Sequence, residues 1–390
     1  MAGREFGRGP WAAVVLAVAC GHLATAAQAQ NAYITNSGDD TVSVIDTRTN
    51  GLVGSPIRVG DLPIGVAATP DGRRVYVANA DDGTVSVIDT RTNGVVGTPI
   101  PVGGTPYSLA VTPDGSKVYV VDVGSDTVSV IATASNGVVA GPIPVGNEPI
   151  GVAVMPDGSK VYVSNLLERT VSVIDTDTDE VVGDPIQVGD GPYGLAVTPD
   201  GSKVYVANSG ANTVSVIATT GDGVVATIPV GEGPVAVAMT PDGTKVYVTN
   251  QGSDSVSVID TETDTLVDTD PAIDEVNPIP VGDAPFGVAV TPDGSKLYVA
   301  ISFADNVTVI DTRTNRVVGT AIPVGRFPIA FGRFIQPKLP FAGTPGAANC
   351  AGQSLSAEAR RYGSTSAAAR ALGFGSVAQM QTAIRAYCRV

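Results

Sequence analysis

Histidine and tryptophan are almost missing from this 390-residue chain, which has one of each, His22 and Trp11. Both fall within residues 1–29, which read as a secretory signal peptide. Arg4 and Arg8 precede an apolar run from Trp11 to Ala19, and Ala27-Gln28-Ala29 offers small residues around a cleavage point. A chain cut there has no imidazole, which excludes Ser-His-Asp triads, zinc sites built on histidine and histidine-ligated haem. Carboxylates, Tyr, Lys and Arg remain as candidates for acid–base work. The apolar run is too short to cross a bilayer, so no transmembrane segment is expected. A rival reading is lipoprotein processing at Cys20, because AVAC loosely resembles a lipobox, although Ala17 stands where leucine is usual. Either way the mature chain is expected outside the cytoplasm, periplasmic or secreted to the cell surface.

Basic residues are also few. The chain carries 23 Lys and Arg against 38 Asp and Glu, a net charge of −15. Removing the leader takes away Arg4, Arg8 and Glu5 and leaves 21 against 37. That balance argues against nucleic acid as a partner and favours solubility. The exception is the stretch 338–390, where Lys338, Arg360, Arg361, Arg370, Arg385 and Arg389 face Glu358 alone. A basic tail on an acidic body could dock onto it, be held for an anionic partner, or simply be solvated.

What the chain has in abundance is repetition. Tyr33, Tyr76, Tyr119, Tyr162, Tyr205, Tyr247 and Tyr298 open seven units, spaced 43, 43, 43, 43, 42 and 51 residues apart. Each unit carries four strand-sized segments, illustrated by VAVAMT, KVYVAN, TVSVIAT and VVATIPVG. A period near 43 with four strands predicts an all-β, seven-bladed β-propeller of four-stranded blades. Proline in the fourth segment, as at Pro229, places that strand on the exposed outer edge, and the small residues of the GVAV type place theirs innermost. The recurrent TPDG(S/T)K, at Pro70, Pro113, Pro156, Pro199, Pro241 and Pro292, specifies a tight type I turn between first and second strands. Ala32 enters on a second strand, whereas Phe327 to Ile335 is a first strand with no second behind it. Together they are expected to complete one blade and close the ring, so that the propeller covers 30–337.

The unit also resembles a known repeat. VYVTNQGSDSVSVIDTETD at Val246 to Asp264, with VYVANSG at Val204 and TPDG(S/T)K throughout, resembles the YVTN family of β-propeller repeats of secreted, periplasmic and surface-layer proteins. The resemblance covers about 300 residues. It implies the fold and an extracytoplasmic setting, and its propeller relatives include binding scaffolds and lactonase-like enzymes, so it leaves activity open.

Residues 338–390 form a small helical tail on this reading, similar to one seen on assorted bacterial secreted proteins. Ser376 and Gln379 make a capping-box pattern, and Val377, Met380, Ile384 and Tyr387 recur at helical spacing. Cys350 and Cys388 bracket the tail, and in an oxidising compartment a disulfide between them is inferred. Closing a loop of about 39 residues would stabilise the tail by roughly 3–4 kcal/mol. A reactive thiol pair lacks its usual CxxC spacing.

Candidate sites follow from propeller topology. Loops joining second to third strands, and fourth strands to the next first, share one face; the PDG and DTxTN turns share the other. Around the throat of the former would stand Ile64, Tyr107, Ile150, Tyr193, Val235, Phe286 and Ile329, with Asp61, Glu148, Asp190, Glu232 and Asp283 beside them and Arg326 the one basic residue among them. Such a throat could bind a sugar, peptide or cationic ligand, or its side chains could plug the channel. One sector departs from the repeat: Ile301 replaces asparagine, Phe303 is added, and Arg326, Phe327, Phe331, Arg333 and Phe334 follow. It reads as a ligand patch or as packing that seals the closure. Leu166 and Leu167 intrude on the same kind of loop.

Metal signals are weak. Asp175, Asp177 and Asp179 alternate like calcium-loop ligands, but Glu180 stands where glycine is needed. Asn36, Asn79, Asn165, Asn208 and Asn250, with Asp122 in the third unit, could ring a cation or cap turns. No cofactor is expected.

Two functions remain open. One is a non-enzymatic binding scaffold at the cell envelope, a monomer recruiting a protein, peptide or glycan. The alternative is a carboxylate-dependent hydrolase or lactonase, with Asp190, Glu232 or Asp283 as base and Arg326 holding an anion.

Overall fold

The computed structural model describes residues 30–269 and 278–337, together with Val377, Met380, Gln381 and Ile384, which are helical. The expected signal peptide, most of the insertion after Asp268, the predicted Cys350–Cys388 disulfide and the rest of the tail lie outside the described residues. Seven antiparallel sheets follow one another along the chain. In the fifth, for example, Pro192–Val197, Lys203–Asn208, Thr213–Ala218 and Gly223–Pro229 pair in sequence order. This is an all-β seven-bladed propeller, and we number blades 1–7 by the tyrosines from Tyr33 to Tyr298.

The second and third strands of each blade are buried along nearly their whole length, because each sheet is sandwiched between two others. Their runs of Val, Ile and Tyr therefore have two apolar faces to cover. All seven tyrosines are fully buried. The outer strand behaves less simply than its sequence suggests. It is continuous in blades 3 and 5, as Gly137–Pro144 and Gly223–Pro229, but elsewhere breaks into two two-residue pieces on the same third strand, such as Gly51–Leu52 and Ile57–Arg58. Gly54, at φ +69°, sits in one such break, where only glycine turns without strain.

The ends meet as expected. Ala32 bridges Ile335 and Asn36 bridges Pro328 in antiparallel register. The amide of Tyr33 donates to the Phe334 carbonyl at 2.9 Å, that of Ile329 to Thr35 at 3.0 Å, and that of Gln336 to Asn31 at 2.8 Å. Residues at opposite ends of the propeller thus share blade 1, and the ring has no open edge at its seam. Among the described residues no helix is long and apolar enough to cross a membrane.

Candidate functional site

The two faces of the disc are built by different chemistry. On the PDG side, Thr69 donates to Asp71 at 2.6 Å while Gly72 N–H closes the turn on the Thr69 carbonyl at 2.8 Å. On the same side each buried tyrosine reaches the DTxTN turn of the next blade. Tyr33 donates to Asn93, Tyr76 to Asn136, Tyr119 to Asp179, Tyr162 to Asp222, Tyr205 to Asp264, Tyr247 to Asn315 and Tyr298 to Asn50. Every blade is thereby latched to its neighbour around the whole ring. In blades 3, 4 and 5 the acceptor is a carboxylate that also pairs at 2.7 Å with the lysine two residues before the tyrosine, Lys117, Lys160 or Lys203. Burial, then the accepting aspartate, hold these three phenols far above the ordinary tyrosine value. Asp179 belongs to this latch, and Asp175 accepts the amides of Asp177 and Thr178. The calcium-like spacing is therefore turn chemistry, and no group of metal-holding side chains occurs among the described residues.

The amide ring is also structural, though not as turn caps. Asn165 donates from Nδ2 to Thr170 and Ser172, each at 2.9 Å, and accepts the Gly146 amide at 3.2 Å. Asn36, Asn79, Asn208 and Asn250 repeat the paired donation. Each is fully buried and ties its second strand to its third, leaving no side-chain donor for a ligand. Asp122 breaks the series. Ser129 donates to its Oδ2 at 2.7 Å, but Oδ1 has no partner. Burial pushes its carboxyl up to about 6, with the Ser129 hydroxyl and the Gly103 amide pulling the other way.

The opposite face carries the throat, and the throat is filled. Ile64, Ile150, Val235 and Phe286 are buried, and Tyr107, Tyr193 and Ile329 are half-buried against them in one apolar cluster. Phe331, from the closing strand, stands among them and touches Tyr107, Tyr193 and Phe286 edge-on with ring centres 5.7–5.9 Å apart. Its tip lies so close to Gly194 across the ring that a Cβ there would meet it at 3.2 Å. Among the ring side chains of this floor the Tyr107 and Tyr193 hydroxyls are hydrogen-bonded to each other. Burial lifts Tyr107 to about 12, offset in part by Tyr193, and raises Tyr193 well above its ordinary value, so both phenols stay protonated.

The rim above the floor is acidic. The loops of this face carry thirteen carboxylates, from Asp39 to Asp305, against two cations, Arg169 and Arg326. Both cations are engaged. Arg169 pairs with Asp190 at 2.9 Å, and Arg326 places Nε 2.6 Å from Asp39 and Nη2 2.5 Å from the Gly38 carbonyl. Glu232 and Asp283 are exposed. The expected trio of acids stands on three successive loops of the rim, with Asp190 already paired, and Arg326 is not held open for an anion. Of the divergent sector, Ile301, Phe331 and Phe334 are buried, whereas Phe303 and Phe327 are exposed. Arg333 is open to solvent, while the protein crowding it lowers its guanidinium below the ordinary value. Leu166 packs against the throat cluster and Leu167 points outward. Two open grooves lie on the PDG side, one of about 470 Å³ between blades 6 and 7 around Lys245 and Asp293, and one of about 270 Å³ between blades 2 and 3 around Arg74 and Asp114.

Known proteins share this architecture. The hydrazine synthase structure from Kuenenia stuttgartiensis is 27% identical, with a TM-score of 0.64, over 72% of this chain and 92% of that one. A putative 6-phosphogluconolactonase from Bacteroides uniformis is 18% identical, with a TM-score of 0.65, over 77% of this chain and 98% of its own. One from Bacteroides fragilis is also 18% identical, with a TM-score of 0.65, over 78% and 98%. At that identity the likeness speaks for fold alone. No curated protein matches the sequence. Residues 19–281, well over half of the chain, match the family described as lactonase, seven-bladed β-propeller. The chain belongs to the lactonase family of seven-bladed β-propellers.

Proposed function

We propose that this propeller hydrolyses a lactone or related ester on its channel face. Membership in the lactonase propeller family carries the reading, and the two Bacteroides proteins named as putative 6-phosphogluconolactonases make sugar lactones the substrate class to try first. Water adds to the ring carbonyl, the ring C–O bond breaks, and a hydroxy acid leaves. A carboxylate takes the proton of the attacking water, and a donor meets the oxyanion. Since Arg169 occupies Asp190, Glu232 and Asp283 are the better candidates for the base. In the phenol pair one hydroxyl donates to the other and leaves one O–H to face the oxyanion, a role for which a protonated Tyr107 or Tyr193 is suited. The test is a panel of sugar lactones and simple esters, assayed with and without divalent cations. Turnover that falls by about a hundredfold or more in Glu232→Gln or Asp283→Asn is expected. Turnover of no panel member, or turnover indifferent to both changes, would overturn the reading.

The second reading is an envelope scaffold, and the filled throat favours it. A ring whose channel is closed near its rim offers a broad surface to a partner. The basic stretch 338–390 gives it a test: capture from an envelope extract should weaken when the chain ends at Gln336, and equal recovery would remove the tail from the scaffold.

A further inference from the structure

Phe303 and Phe327 stand edge to face where blades 7 and 1 meet on the channel face, with ring centres 6.3 Å apart. They are 64% and 48% exposed, whereas Phe331 and Phe334 of the closing strand are buried. Core packing therefore does not require this pair. Their positions belong to other residue types elsewhere in the ring: two blades have glycine in place of Phe327, at Gly191 and Gly233, and four have it in place of Phe303. Phe327 adopts φ +50°, the left-handed conformation that Leu62, Thr105, Glu148 and Ala284 share at the same turn, so the backbone is that of the repeat and only the exposed ring is new. Its amide donates to Asp305 at 2.9 Å, as those of Leu62, Glu148 and Ala284 do to Asp40, Asp126 and Asp254, so the ring is carried on a regular turn.

The electrostatic setting has one sign. The amide of Phe303 is bonded to the Asp283 backbone, and the side chains of Asp283 and Asp305 are exposed. Arg326, the neighbouring cation, is already bound by Asp39. Ring faces attract cations, and carboxylates beside them add to that attraction. Because both rings stand out from the surface, a convex side chain presented by another molecule would reach them.

We propose that Phe303 and Phe327 form a docking platform for a basic segment of a partner protein, with an Arg or Lys side chain lying over the rings and its charge toward Asp283 and Asp305. This rests on neither reading of the throat. The test uses the full chain and a labelled oligo-arginine peptide, followed by fluorescence anisotropy at physiological ionic strength. The double variant Phe303→Ala, Phe327→Gly keeps every charge, and glycine suits the left-handed position, so it should fold. Its affinity is expected to fall at least about tenfold, and Phe303→Ala alone should account for part of the loss. Equal affinity in wild type and double variant would mean that the peptide follows the general negative field, and the platform would be abandoned. Absence of binding to the wild type would overturn it too. Displacement of the peptide by choline at low millimolar concentration would instead assign the rings to small organic cations and overturn the protein partner.

Discussion

The PDG face and the channel face use the same seven blades for opposite ends. On the PDG face every tyrosine finds its acceptor in the next blade, from Tyr33 to Tyr298, and in blades 3, 4 and 5 a lysine pairs with the same acceptor. On the channel face the loops differ from blade to blade, exposed aromatics occur at the seam, and acids are left at the rim. Cohesion needs the same contact at every junction, so it is written as repetition. Recognition needs a distinct place, so it is written as departure. The floor of the throat belongs with the first group, since Phe331 and its neighbours are packed as a core.

The largest effect should come from emptying that floor. Phe331→Ala removes a buried ring that touches three other aromatics and is expected to lower stability by about 3–5 kcal/mol, read by urea unfolding. A loss no greater than that of a surface change would mean that the throat is not a packed core. Next is the contrast between ion pairs on the two faces. Asp264→Ala strands Lys203 and Tyr205 and should lower stability by about 2–3 kcal/mol, because that pair is mostly buried. Asp39→Ala, which frees the exposed Arg326, should leave the unfolding midpoint essentially where it was. Equal losses would erase the difference between the faces.

A smaller and pH-dependent effect belongs to Asp122. The folded chain binds this proton more tightly than the unfolded chain does, since the carboxyl is raised to about 6. Its contribution is therefore fully present below the ordinary aspartate value and is lost as pH rises toward about 6. Asp122→Asn, which restores the amide found in five other blades, should stabilise the protein by about 2 kcal/mol at pH 7 and change little near pH 4. A gain of the same size at both values would assign the effect to hydrogen bonding without titration.

The blades, their strand order and the seam were legible because each rests on local pattern: a tyrosine every 43 residues, proline in the outer strand and a first strand at 327–335 without its partner. The outer strand in two pieces was less so, since a glycine in a turn and a glycine in a strand look alike in sequence. Contacts between blades were hidden. Tyr205 and Asp264 lie 59 residues apart, and nothing in either segment names the other. The amide ring was misjudged, yet its signal was present. Asparagine followed by Thr or Ser at five and seven residues, as in Asn36, Thr41 and Ser43, marks a donor satisfied within its own hairpin. Whether the throat was open depended on Phe331 reaching Gly194 across the ring, a distance that no repeat encodes.

Hydrogen exchange at the seam tests the sealed ring most directly. The amides of Tyr33, Ile329 and Gln336 join the two ends of the propeller. They should exchange only with global unfolding, as slowly as the central strands of blade 4. Exchange at these three at the rate of the rim loops would show that blade 1 opens on its own, contradicting a closed and filled ring.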